Sequence, residues 1–515
     1  MTTSHVEIER KYDLGADGIP DLASAAGVAA VSAPVEQILD ATYYDTPDLR
    51  LAAARITLRR RTGGDDAGWH LKVPSGADRE ERHLPLTADS DVPDELVGLV
   101  RVHVRDQQLI PVATVHSRRA VRRLLDDADR VLAEVADDRV TAQALQNGGV
   151  EQVWRELEVE LSAGDRGLLK AVDAVLRTAG ATPSASSSKL ARVLGGSSDW
   201  TAARDRRNGS RATAGGQQAK KPTAGEVVTA HLREQVTQLK ARDPQARQDA
   251  PDGVHKMRVA TRRLRSAMAT FRPLLDRTVT DPVRGELKWL AGVLGEPRDA
   301  EVMRAQLLTL IEEEPDDLVL GPVRRRVELE MDRRHREAHE RAVRELDSPR
   351  YFRLLDALDA LAARPPLTPR AGNPATKVLP ALVRKAWRRL DRQLRAASGV
   401  TEPAARDPLL HEARKDAKRA RYAAESVEPV FGRAAQRLAR RLTALQETLG
   451  EHQDSVVLRQ TLRQLGVQAH LSGENGFTFG RLHALEQARA EGAEHRYPGL
   501  WRKARARKAQ RWLAR

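Results

Sequence analysis

The chain has 515 residues, of which 31% are charged and 3% are aromatic, so it is long enough to bury more than one hydrophobic core. It contains no cysteine, which excludes disulfides, cysteine-ligated zinc and iron–sulfur sites, and thiol nucleophiles. No apolar run approaches the length of about 18 residues that a membrane helix needs, and the polar N-terminus lacks a signal-peptide core. We therefore expect a cytoplasmic protein with no membrane partner.

Positive and negative charges are distributed unevenly along the chain. Residues 1–200 carry 24 Lys and Arg against 32 Asp and Glu, a net charge of −8, whereas residues 201–515 carry 62 against 40, a net charge of +22. This asymmetry predicts two modules. An acidic module can hold cations, and a basic module attracts polyanions such as nucleic acid, anionic lipid or polyphosphate.

A stretch rich in Gly, Ser and Ala, with no sustained apolar period, separates the modules and is typical of a flexible linker. We predict a first domain over residues 1–195, a linker over 196–223 and a second domain over 224–515. In the first domain, short segments in which apolar and polar residues alternate, together with an amphipathic helical stretch, indicate an α+β fold with an antiparallel sheet. The predicted strands and helix are Val6–Tyr12, Arg55–Arg61, Trp69–Val73, Arg130–Val135 and Val153–Leu161, with a helix at Leu168–Ala179.

Charged side chains alternate along several of these strands. Glu7, Glu9 and Lys11 are spaced two residues apart and therefore share one strand face. A solvated sheet face explains any one such ladder by itself. Glutamates in a ladder repel one another unless cations lie among them, so several ladders together favour a closed sheet with these faces inside. The other members of the pattern are Arg59, Arg61, Lys72, Glu156, Glu158 and Glu160.

Inside such a barrel the two kinds of charge would serve one chemistry. Carboxylates would hold Mg²⁺ or Mn²⁺, which prefer oxygen ligands, and Arg and Lys would hold phosphate oxygens. A site with both features is typical of metal-assisted phosphoryl transfer. Neither a Ser–His–Asp arrangement nor a phosphate-binding loop of the GxxxxGK[ST] type competes with this interpretation in the sequence.

Residues 1–195 resemble the CYTH family, also called the triphosphate tunnel metalloenzymes. The segment 7–11 (EIERK) is similar to the ExExK signature of that family, and an ordered set of further segments is similar to its later motifs. These segments are 43–49 (YYDTPDL), 58–61 (LRRR), 69–72 (WHLK), 79–81 (REE), 135–138 (VADD), 156–160 (ELEVE) and 188–189 (SK). The resemblance implies an eight-stranded antiparallel β tunnel, or barrel, with helices, which hydrolyses triphosphate-containing substrates with a divalent metal.

The resemblance also implies roles for individual residues. The implied metal-binding or catalytic residues are Glu7, Glu9, Asp138, Glu156 and Glu158. The implied triphosphate-binding residues are Lys11, Arg59, Arg61, Lys72, Arg119 and Lys189. Arg118 and Arg119 are adjacent, so the sequence leaves open which of the two faces the tunnel.

After the linker, strand patterns end and apolar residues recur at helical spacing. Examples are Arg284–Leu294, Leu354–Ala362 and Ala435–Leu449. A Pro-rich break at 364–375 divides this region, and we predict repeat halves at about 224–364 and 376–510.

The two halves repeat a cationic motif. The repeated stripes, each with the spacing of one helix face, are His255, Arg258, Arg262, Arg265 and His411, Arg414, Lys418, Arg421. A Leu-Gly-Glu-x-x-Asp block begins 39 residues after His255 and 38 residues after His411. One cationic stripe is usually a solvated helix face, but a repeated stripe of like charges needs a counter-anion to be favourable. Zinc is not expected at these two histidines, which lack cysteine or a close ligand set in the sequence.

Residues from about 224 to 510 resemble the CHAD family, named for a conserved-histidine α-helical domain. The histidine-led stripes and both Leu-Gly-Glu-x-x-Asp blocks carry the resemblance. It implies an all-α domain of two pseudo-symmetric four-helix bundles that binds inorganic polyphosphate in a basic groove. The implied groove residues are His255, Arg258, Arg262, Arg263, Arg265, His411, Arg414, Lys415, Lys418, Arg419 and Arg421. Glu412 stands where the first half has Lys256, so we expect unequal contributions from the two halves.

The sequence thus predicts a triphosphatase that uses Mg²⁺ or Mn²⁺ on inorganic tripolyphosphate or a related triphosphate. It would be tethered to a polyphosphate-binding domain and associated with polyphosphate granules in the cytoplasm. A thiamine triphosphatase or an adenylate cyclase of the tunnel type is an alternative enzyme, and a polyphosphate-targeting protein without turnover is an alternative binding module. Nucleic acid is a weaker candidate partner, because the sequence shows no recognition-helix context and few aromatics for stacking. The oligomeric state is left open.

Overall fold

The computed structural model describes residues 3–15, 18–75, 78–87, 91–146, 148–186, 188–195, 221–506 and 510–514. The chain divides into two compact units, Met1–Gly216 and Gln217–Arg515. The first unit is an antiparallel β-sheet with helices and the second is all helical, which confirms the predicted fold classes. Most of the predicted linker, from residue 196 to 220, lies outside the described residues. Within the described ranges, no helix combines the length and the apolar content that a membrane crossing requires.

The strands of the first unit belong to one sheet. They are β1 (Thr3–Glu7), β2 (Glu9–Asp13), β3 (Ala30–Val31), β4 (Val35–Asp45), β5 (Thr57–Thr62), β6 (Gly68–Ser75), β7 (Asp78–Pro85), β8 (Ile110–Leu125), β9 (Val131–Ala144), β10 (Gln152–Leu161) and β11 (Thr182–Pro183). The helices of this unit are α1 (Arg50–Ala53), α2 (Asp94–Val104), α3 (Arg166–Thr178) and α4 (Lys189–Leu194).

The sheet closes into a barrel. Only Ile8 separates β1 from β2, so the two act as one strand, with β1 paired to β7 on one side and β2 paired to β10 on the other. With β1 and β2 counted once, the ring runs β1/β2, β7, β6, β5, β4, β8, β9, β10, which is the predicted eight-stranded antiparallel barrel. The two-residue strands β3 and β11 pair with β8 and β2 beside this ring.

The barrel carries its charged face inside and its apolar face outside, against the helices. On β10, Leu157 and Val159 are fully buried outside the barrel and pack with Leu168, Val172 and Leu176 of α3. Each such side chain contributes roughly 1.5–3 kcal/mol through burial. Because a slip of one residue would exchange the two faces of a strand, this outer core also fixes which charged residues point inward.

A second outer core lies under α2. Leu58 of β5 and Trp69 and Leu71 of β6 pack there against Leu96 and Val100 of the helix. All five side chains are fully buried or nearly so. The alternate residues of β5 and β6 therefore point into the barrel.

Two predicted strands were wrong in their bounds. Arg55 was expected to begin a strand, but it has a φ of 62° in the turn after α1, and β5 begins at Thr57. The predicted strand Arg130–Val135 is only the first part of β9, which continues to Ala144. The polar residues in its second part are held in the sheet because β9 pairs with β8 on one side and β10 on the other.

The second unit is built from helices, most of them long. They are α5 (Ala224–Arg247), α6 (Gly253–Thr270), α7 (Arg277–Val293), α8 (Gly295–Glu312), α9 (Val323–Leu346), α10 (Pro349–Ala363), α11 (Ala375–Ser398), α12 (Pro403–Ser426), α13 (Glu428–Phe431), α14 (Arg433–Leu471) and α15 (Phe477–Arg505). A capping box at Thr223 and Glu226 begins α5.

The predicted repeat is visible in the order of these helices. Each half has four helical legs. The legs of the first half are α5, α6, the pair α7 and α8, and the pair α9 and α10. The legs of the second half are α11, α12, α14 and α15. The corresponding third legs differ, because the first half is interrupted at Leu294 whereas α14 runs through 39 residues. Leu307 and Val327 share one apolar core with Leu462 and Phe479, so the two bundles pack against each other.

Candidate functional site

Three carboxylates meet inside the barrel. Asp138 lies opposite Glu156 in the pairing of β9 with β10, and Glu158 follows on the same face of β10. One oxygen of each lies within 4.8 Å of the others. Asp138 and Glu156 are buried, and Glu156 accepts a hydrogen bond of 2.7 Å from Trp154 Nε1. Asp138, Glu156 and Glu158 are called the acidic cluster below.

Two cations neutralise the acidic cluster. Lys189 begins α4, and its Nζ lies 2.6–2.8 Å from an oxygen of each of the three carboxylates. Arg119 of β8 donates two hydrogen bonds of 2.6 and 2.7 Å to Asp138 and a third of 2.7 Å to Glu158. Bidentate contacts of this kind fix the geometry of both partners.

A third cation comes from the first strand. Lys11 of β2 forms ion pairs with Glu158 and, at 2.9 Å, with Glu9. The structure also resolves the choice between two adjacent arginines. Arg119 points into the barrel, whereas Arg118 is exposed on the outer side.

The wall opposite the acidic cluster is cationic. In a ring of eight strands, β5 and β6 lie across the barrel from β10 and β9. Arg61 forms an ion pair with Asp66, and Lys72 Nζ lies 3.4 Å from Glu81. Arg59 donates a hydrogen bond of 3.4 Å to the Tyr43 hydroxyl. The side chains called the cationic wall are Arg59, Arg61 and Lys72, and they line the same cavity as Glu9, Lys11, Arg119, Glu158 and Lys189.

Sequence analysis did not assign several residues of this cavity. Glu81 of β7 is buried and accepts a hydrogen bond of 2.8 Å from Nδ1 of His70. Arg79 and Tyr43 also line the cavity. The available signal was the spacing of two residues between Arg79 and Glu81, which places both on one face of a strand.

One end of the barrel is apolar. α4 packs Leu190 and Val193 against inner-face residues of the barrel, among them Val115, Ala142 and Trp154. This helix directly follows Ser188, whose side chain caps it, so the same short element closes the end and aims Lys189 at the carboxylates.

The helical unit contains a second charged site. α6 packs against α12, and the two cationic stripes converge between them. Burial and the charges of Arg258, Arg421 and Arg414 lower the pKa of Arg262 below its ordinary value, although Tyr422 opposes this shift. The convergent side chains are called the cationic groove, and they are Arg258, Arg262, Arg414, Lys418 and Arg421.

The Leu-Gly-Glu-x-x-Asp blocks hold two arginines of the groove. Arg258 bonds to Asp299 at 3.0 Å, and Arg414 pairs with Asp454 at 3.1 Å. A Cβ added at Gly295 would lie 3.4 Å from Arg258 Nη2, and a Cβ added at Gly450 would lie 3.3 Å from Arg414 Nη2. The glycines therefore allow each guanidinium to lie close against the third leg of its bundle.

Comparison with known proteins identifies a different domain family in each of the two units. Residues 5–194 match the CYTH domain, and residues 230–463 match the CHAD domain. Uncharacterized proteins from two strains of Mycobacterium tuberculosis are 39% identical over 519 aligned positions, which cover 97% of this chain and 96% of each relative. The chain belongs to the family that joins a CYTH domain to a CHAD domain. The relatives span both domains of this chain.

Two further similarities concern one domain each. Human thiamine-triphosphatase is 33% identical over 104 residues, which cover 20% of this chain and 42% of that enzyme. The crystal structure of the CHAD domain from the plant Ricinus communis is 26% identical, with 56% of this chain and 95% of that chain covered and a TM-score of 0.43.

The acidic cluster of the CYTH domain fits a hard divalent cation. Its donors are all carboxylate oxygens, which Mg²⁺ and Mn²⁺ prefer, and they converge within one coordination sphere. Asp138, Glu156 and Glu158 would hold the ion. Glu9 lies close to this set through its contact with Lys11. The side chain of Glu7 lies outside the described residues, although its backbone pairs with β7.

The ion pairs keep both kinds of group charged. Burial tends to lower the pKa of Lys189, but Glu158 and Asp138 raise it well above its ordinary value. Burial likewise tends to raise the pKa of Glu158, but Lys11, Lys189 and Arg119 hold it well below its ordinary value. Glu158 and Lys189 are therefore both charged at neutral pH.

Lys189→Met is expected to tighten binding of Mn²⁺ to the substrate-free protein by about tenfold or more, because the ammonium competes with the ion for all three carboxylates. Titration calorimetry with Mn²⁺ measures this change. Lys170→Met is the matched control, since Lys170 is exposed on α3. Equal affinities of the Lys189 variant and the unmodified protein would contradict the expectation.

The remaining residues of the predicted CHAD groove have local partners. Arg263 bonds to Glu425 at 3.1 Å, and Arg419 bonds to Asp416 at 3.3 Å. Lys415 is exposed and bonds to Glu412 at 2.7 Å. These three lie beside the convergent set rather than within it.

The two histidines and Arg265 lie along the same stripes. Burial and nearby cations lower the pKa of both His255 and His411 below the ordinary value. Burial and the charges of Arg284 and Arg419 lower the pKa of Arg265. The stripe therefore extends past the groove toward Arg284, which sequence analysis did not assign.

Proposed function

We propose that the CYTH domain is a divalent-metal-dependent triphosphatase acting on inorganic tripolyphosphate or a related triphosphate. The observation that supports this best is the division of one closed barrel into an acidic cluster and a cationic wall on opposite strands. A triphosphate carries about four to five negative charges, and its hydrolysis needs those charges neutralised and a water molecule oriented. The barrel offers groups for both tasks.

The residues of the barrel have distinct roles in this proposal. Arg59, Arg61 and Lys72 bind the phosphate oxygens on one side. Lys11, Arg119 and Lys189 connect the phosphates to the carboxylates and hold the chain in line. When bound at the acidic cluster, a divalent cation supplies charge neutralisation and a more acidic water. The apolar end formed by α4 limits access of water from that side.

Phosphate release from tripolyphosphate tests this proposal. The full-length protein is assayed with Mg²⁺ and with Mn²⁺, beside Glu158→Gln, which removes the carboxylate that contacts Lys11, Arg119 and Lys189. Metal-dependent release that is lost in the variant is the expected result. Thiamine triphosphate and ATP in the same panel separate the alternative tunnel enzymes, with cyclic AMP formation as the readout for a cyclase.

Absence of release from every substrate of that panel would overturn the proposed activity. The second candidate function, a polyphosphate-targeting protein without turnover, would then be favoured. Its supporting observation is the cationic groove, whose side chains converge without enough acidic partners to neutralise them.

We infer that the cationic groove of the CHAD domain binds inorganic polyphosphate. Five cationic side chains from two helices face each other there, and carboxylates pair with three of them. The lowered pKa values of Arg262 and Lys418 indicate repulsion between like charges, which a bound polyanion would relieve. Binding of polyphosphate of defined length, measured by calorimetry, tests this inference. Short duplex DNA as a competitor at fixed salt tests the nucleic-acid alternative, and equal competition by DNA would contradict selectivity for polyphosphate.

We also propose that residues 196–223 tether the two domains, so that a polyphosphate chain held by the CHAD domain raises the substrate concentration near the CYTH domain. Cleavage at an engineered protease site in this segment is expected to slow phosphate release from long chains and not from tripolyphosphate. Unchanged release from long chains would contradict the tether. A location at polyphosphate granules follows from the same proposal and is tested by imaging a fluorescent fusion.

Polyphosphate binding is expected to weaken by about tenfold as the pH rises from 7 to 9. Burial and the charges of Arg414, Arg262 and Arg258 lower the pKa of Lys418 to about 7. A bound polyanion favours the ammonium and raises this pKa, so binding takes up a proton above neutral pH. Calorimetry in buffers of different ionisation enthalpy counts that proton.

Lys418→Met is expected to remove the proton uptake above pH 7, whereas Lys415→Met, at an exposed position on the same helix, is expected to keep it. The stability of the protein without polyphosphate is also expected to depend on pH through Lys418. Because the folded pKa is lowered to about 7 from 10.5, the unfolded chain binds the extra proton, and stability rises with pH between these values. A pH-independent affinity would contradict the assignment to Lys418.

A further inference from the structure

A histidine and two carboxylates meet at one corner of the second helical bundle. Asp407 lies in the first turns of α12, His452 in the middle of α14 and Glu494 on α15. His452 Nε2 is 3.0 Å from Glu494 Oε1 and 3.3 Å from Asp407 Oδ1. The three donor atoms lie within 4.8 Å of one another, and His452 is only 3% exposed. These residues belong to neither the barrel nor the cationic groove.

One imidazole proton does not satisfy this arrangement. An N–H group at Nε2 can point at one oxygen, yet carboxylates approach it from two helices. His452 Nδ1 is buried and has no hydrogen-bond partner among the described residues. No contact at Nδ1 therefore fixes the tautomer, and the lone pair of Nε2 is available to a metal ion as well as to a proton. Arg406 pairs with the other oxygen of Glu494 and leaves Oε1 facing the histidine.

The corresponding corner of the first bundle is arranged differently. An ion pair between the third and fourth legs occurs in both bundles, between Glu296 and Arg341 in the first and between Glu451 and Arg496 in the second. The corresponding residues of the two pairs are 155 positions apart in the sequence. By the same offset, Pro297 stands where the second bundle has His452, and His339 stands where it has Glu494.

His339 does not form the same kind of cluster. Its Nε2 is 2.8 Å from the carbonyl oxygen of Ala246, to which it donates, and 3.9 Å from Asp249. The other oxygen of Asp249 is 2.7 Å from Nε2 of His335. The two halves of the repeat therefore differ at the two positions that face each other, and in the second half both carry donor groups aimed at one point.

We propose that Asp407, His452 and Glu494 bind a divalent first-row transition metal of the Zn²⁺ type, with a fourth position left for water. Zn²⁺ bonds to imidazole nitrogen and carboxylate oxygen at about 2.0–2.1 Å, so its tetrahedral ligands lie roughly 3.3 Å apart. The two nitrogen-to-oxygen distances of 3.0 and 3.3 Å fit this spacing. The nitrogen donor distinguishes the site from the acidic cluster, whose all-oxygen donors suit Mg²⁺.

The site would join three helices of one bundle. Metal bound between α12, α14 and α15 stabilises the folded state relative to an unfolded chain in which these residues are far apart. The proposal does not depend on triphosphatase activity or on polyphosphate binding.

Zn²⁺ titration of the full-length protein tests this site. The titration is followed by calorimetry and by thermal melting, with excess Mg²⁺ present to occupy the all-oxygen donors of the barrel. His452→Gln removes the nitrogen donor and is expected to lose one equivalent of Zn²⁺ bound at micromolar concentration. Asp407→Asn is expected to weaken that equivalent by tenfold or more. Zn²⁺ is expected to raise the melting temperature of the unmodified protein and not of His452→Gln.

His470→Gln, at an exposed position near the end of α14, is the matched control and is expected to keep the full Zn²⁺ stoichiometry. Asp407 is about one-third exposed near the beginning of a helix, so Asp407→Asn carries the test if His452→Gln does not fold. Identical isotherms for the unmodified protein and Asp407→Asn would overturn the proposal. So would an equal loss of Zn²⁺ in His470→Gln and His452→Gln.

Discussion

Asp138→Asn is expected to lower phosphate release from tripolyphosphate by about a thousandfold. Asp138 is fully buried, accepts both hydrogen bonds of the Arg119 fork and contacts Lys189. Asparagine keeps its shape but removes one of the three charges that would hold a divalent cation, and it leaves two buried cations with fewer partners. Losses of this size are typical when a group that stabilises the transition state electrostatically is removed.

The adjacent residue provides a matched control. Asp137 points out of the barrel and pairs with Arg155 at 2.9 Å. Asp137→Asn makes the same chemical change one residue away on the opposite face, and it is expected to keep activity within about threefold of the unmodified protein. Turnover is measured well below the melting temperature of each variant. Similar activities of the two variants would show that the acidic cluster does not take part in the reaction.

Thermal melting at two pH values separates a loss of function from a loss of fold. Burial tends to raise the pKa of Asp138, but Lys189 and Arg119 hold it below its ordinary value. The carboxylate therefore contributes stability above its ordinary pKa, and this contribution is lost as the pH falls. Asp138→Asn is expected to melt lower than the unmodified protein near neutral pH, with a smaller difference in acid.

The barrel could be predicted because its charged residues follow the strand period. Glu156 and Glu158 alternate with Leu157 and Val159, and that alternation already separates an inner face from an outer one. Closure of the sheet was favoured by the several charged ladders and implied by the resemblance to the CYTH family. The two faces of each strand could thus be predicted from local spacing. The pairing of β1 with β7 could not, because it joins residues far apart in the chain.

Contacts across the barrel could not be predicted from spacing. Nothing in the sequence near Lys189 shows that its ammonium lies between three carboxylates of β9 and β10. The choice of Arg119 over Arg118 depends on the register of β8 with β9, which pairs Arg119 with Asp138. The place of His70 beside Glu81 depends in the same way on the register of β6 with β7.

In the helical repeat, too, local spacing could be predicted and contacts between distant segments could not. Its identical stripe spacing predicted two cationic helices, but not that α6 and α12 face each other. Lys415 and Lys418 were both implied groove residues, and the packing of α12 distinguishes the exposed Lys415 from the half-buried Lys418. His452 stood within a recognised block, yet its partners Asp407 and Glu494 lie on other helices.

Arg262→Met is expected to weaken polyphosphate binding by about tenfold to a hundredfold and, at the same time, to raise the melting temperature of the free protein. Burial and the charges of Arg258, Arg421 and Arg414 make the guanidinium costly in the absence of a ligand, as the lowered pKa indicates. Methionine keeps much of the apolar stem and removes this repulsion. A bound polyanion reverses the sign, because it is attracted by each charge of the groove.

Opposite changes in stability and affinity distinguish a binding residue from a structural one. A structural arginine lowers the melting temperature when it is removed, as expected for Arg333→Met, since Arg333 bonds to Glu330 and Glu337 on the surface of α9. That control is expected to leave polyphosphate affinity unchanged. Calorimetry at two salt concentrations completes the test, because loss of one phosphate contact reduces the salt dependence of binding. A fall in both melting temperature and affinity for Arg262→Met would instead mean that Arg262 mainly holds α6 against α12.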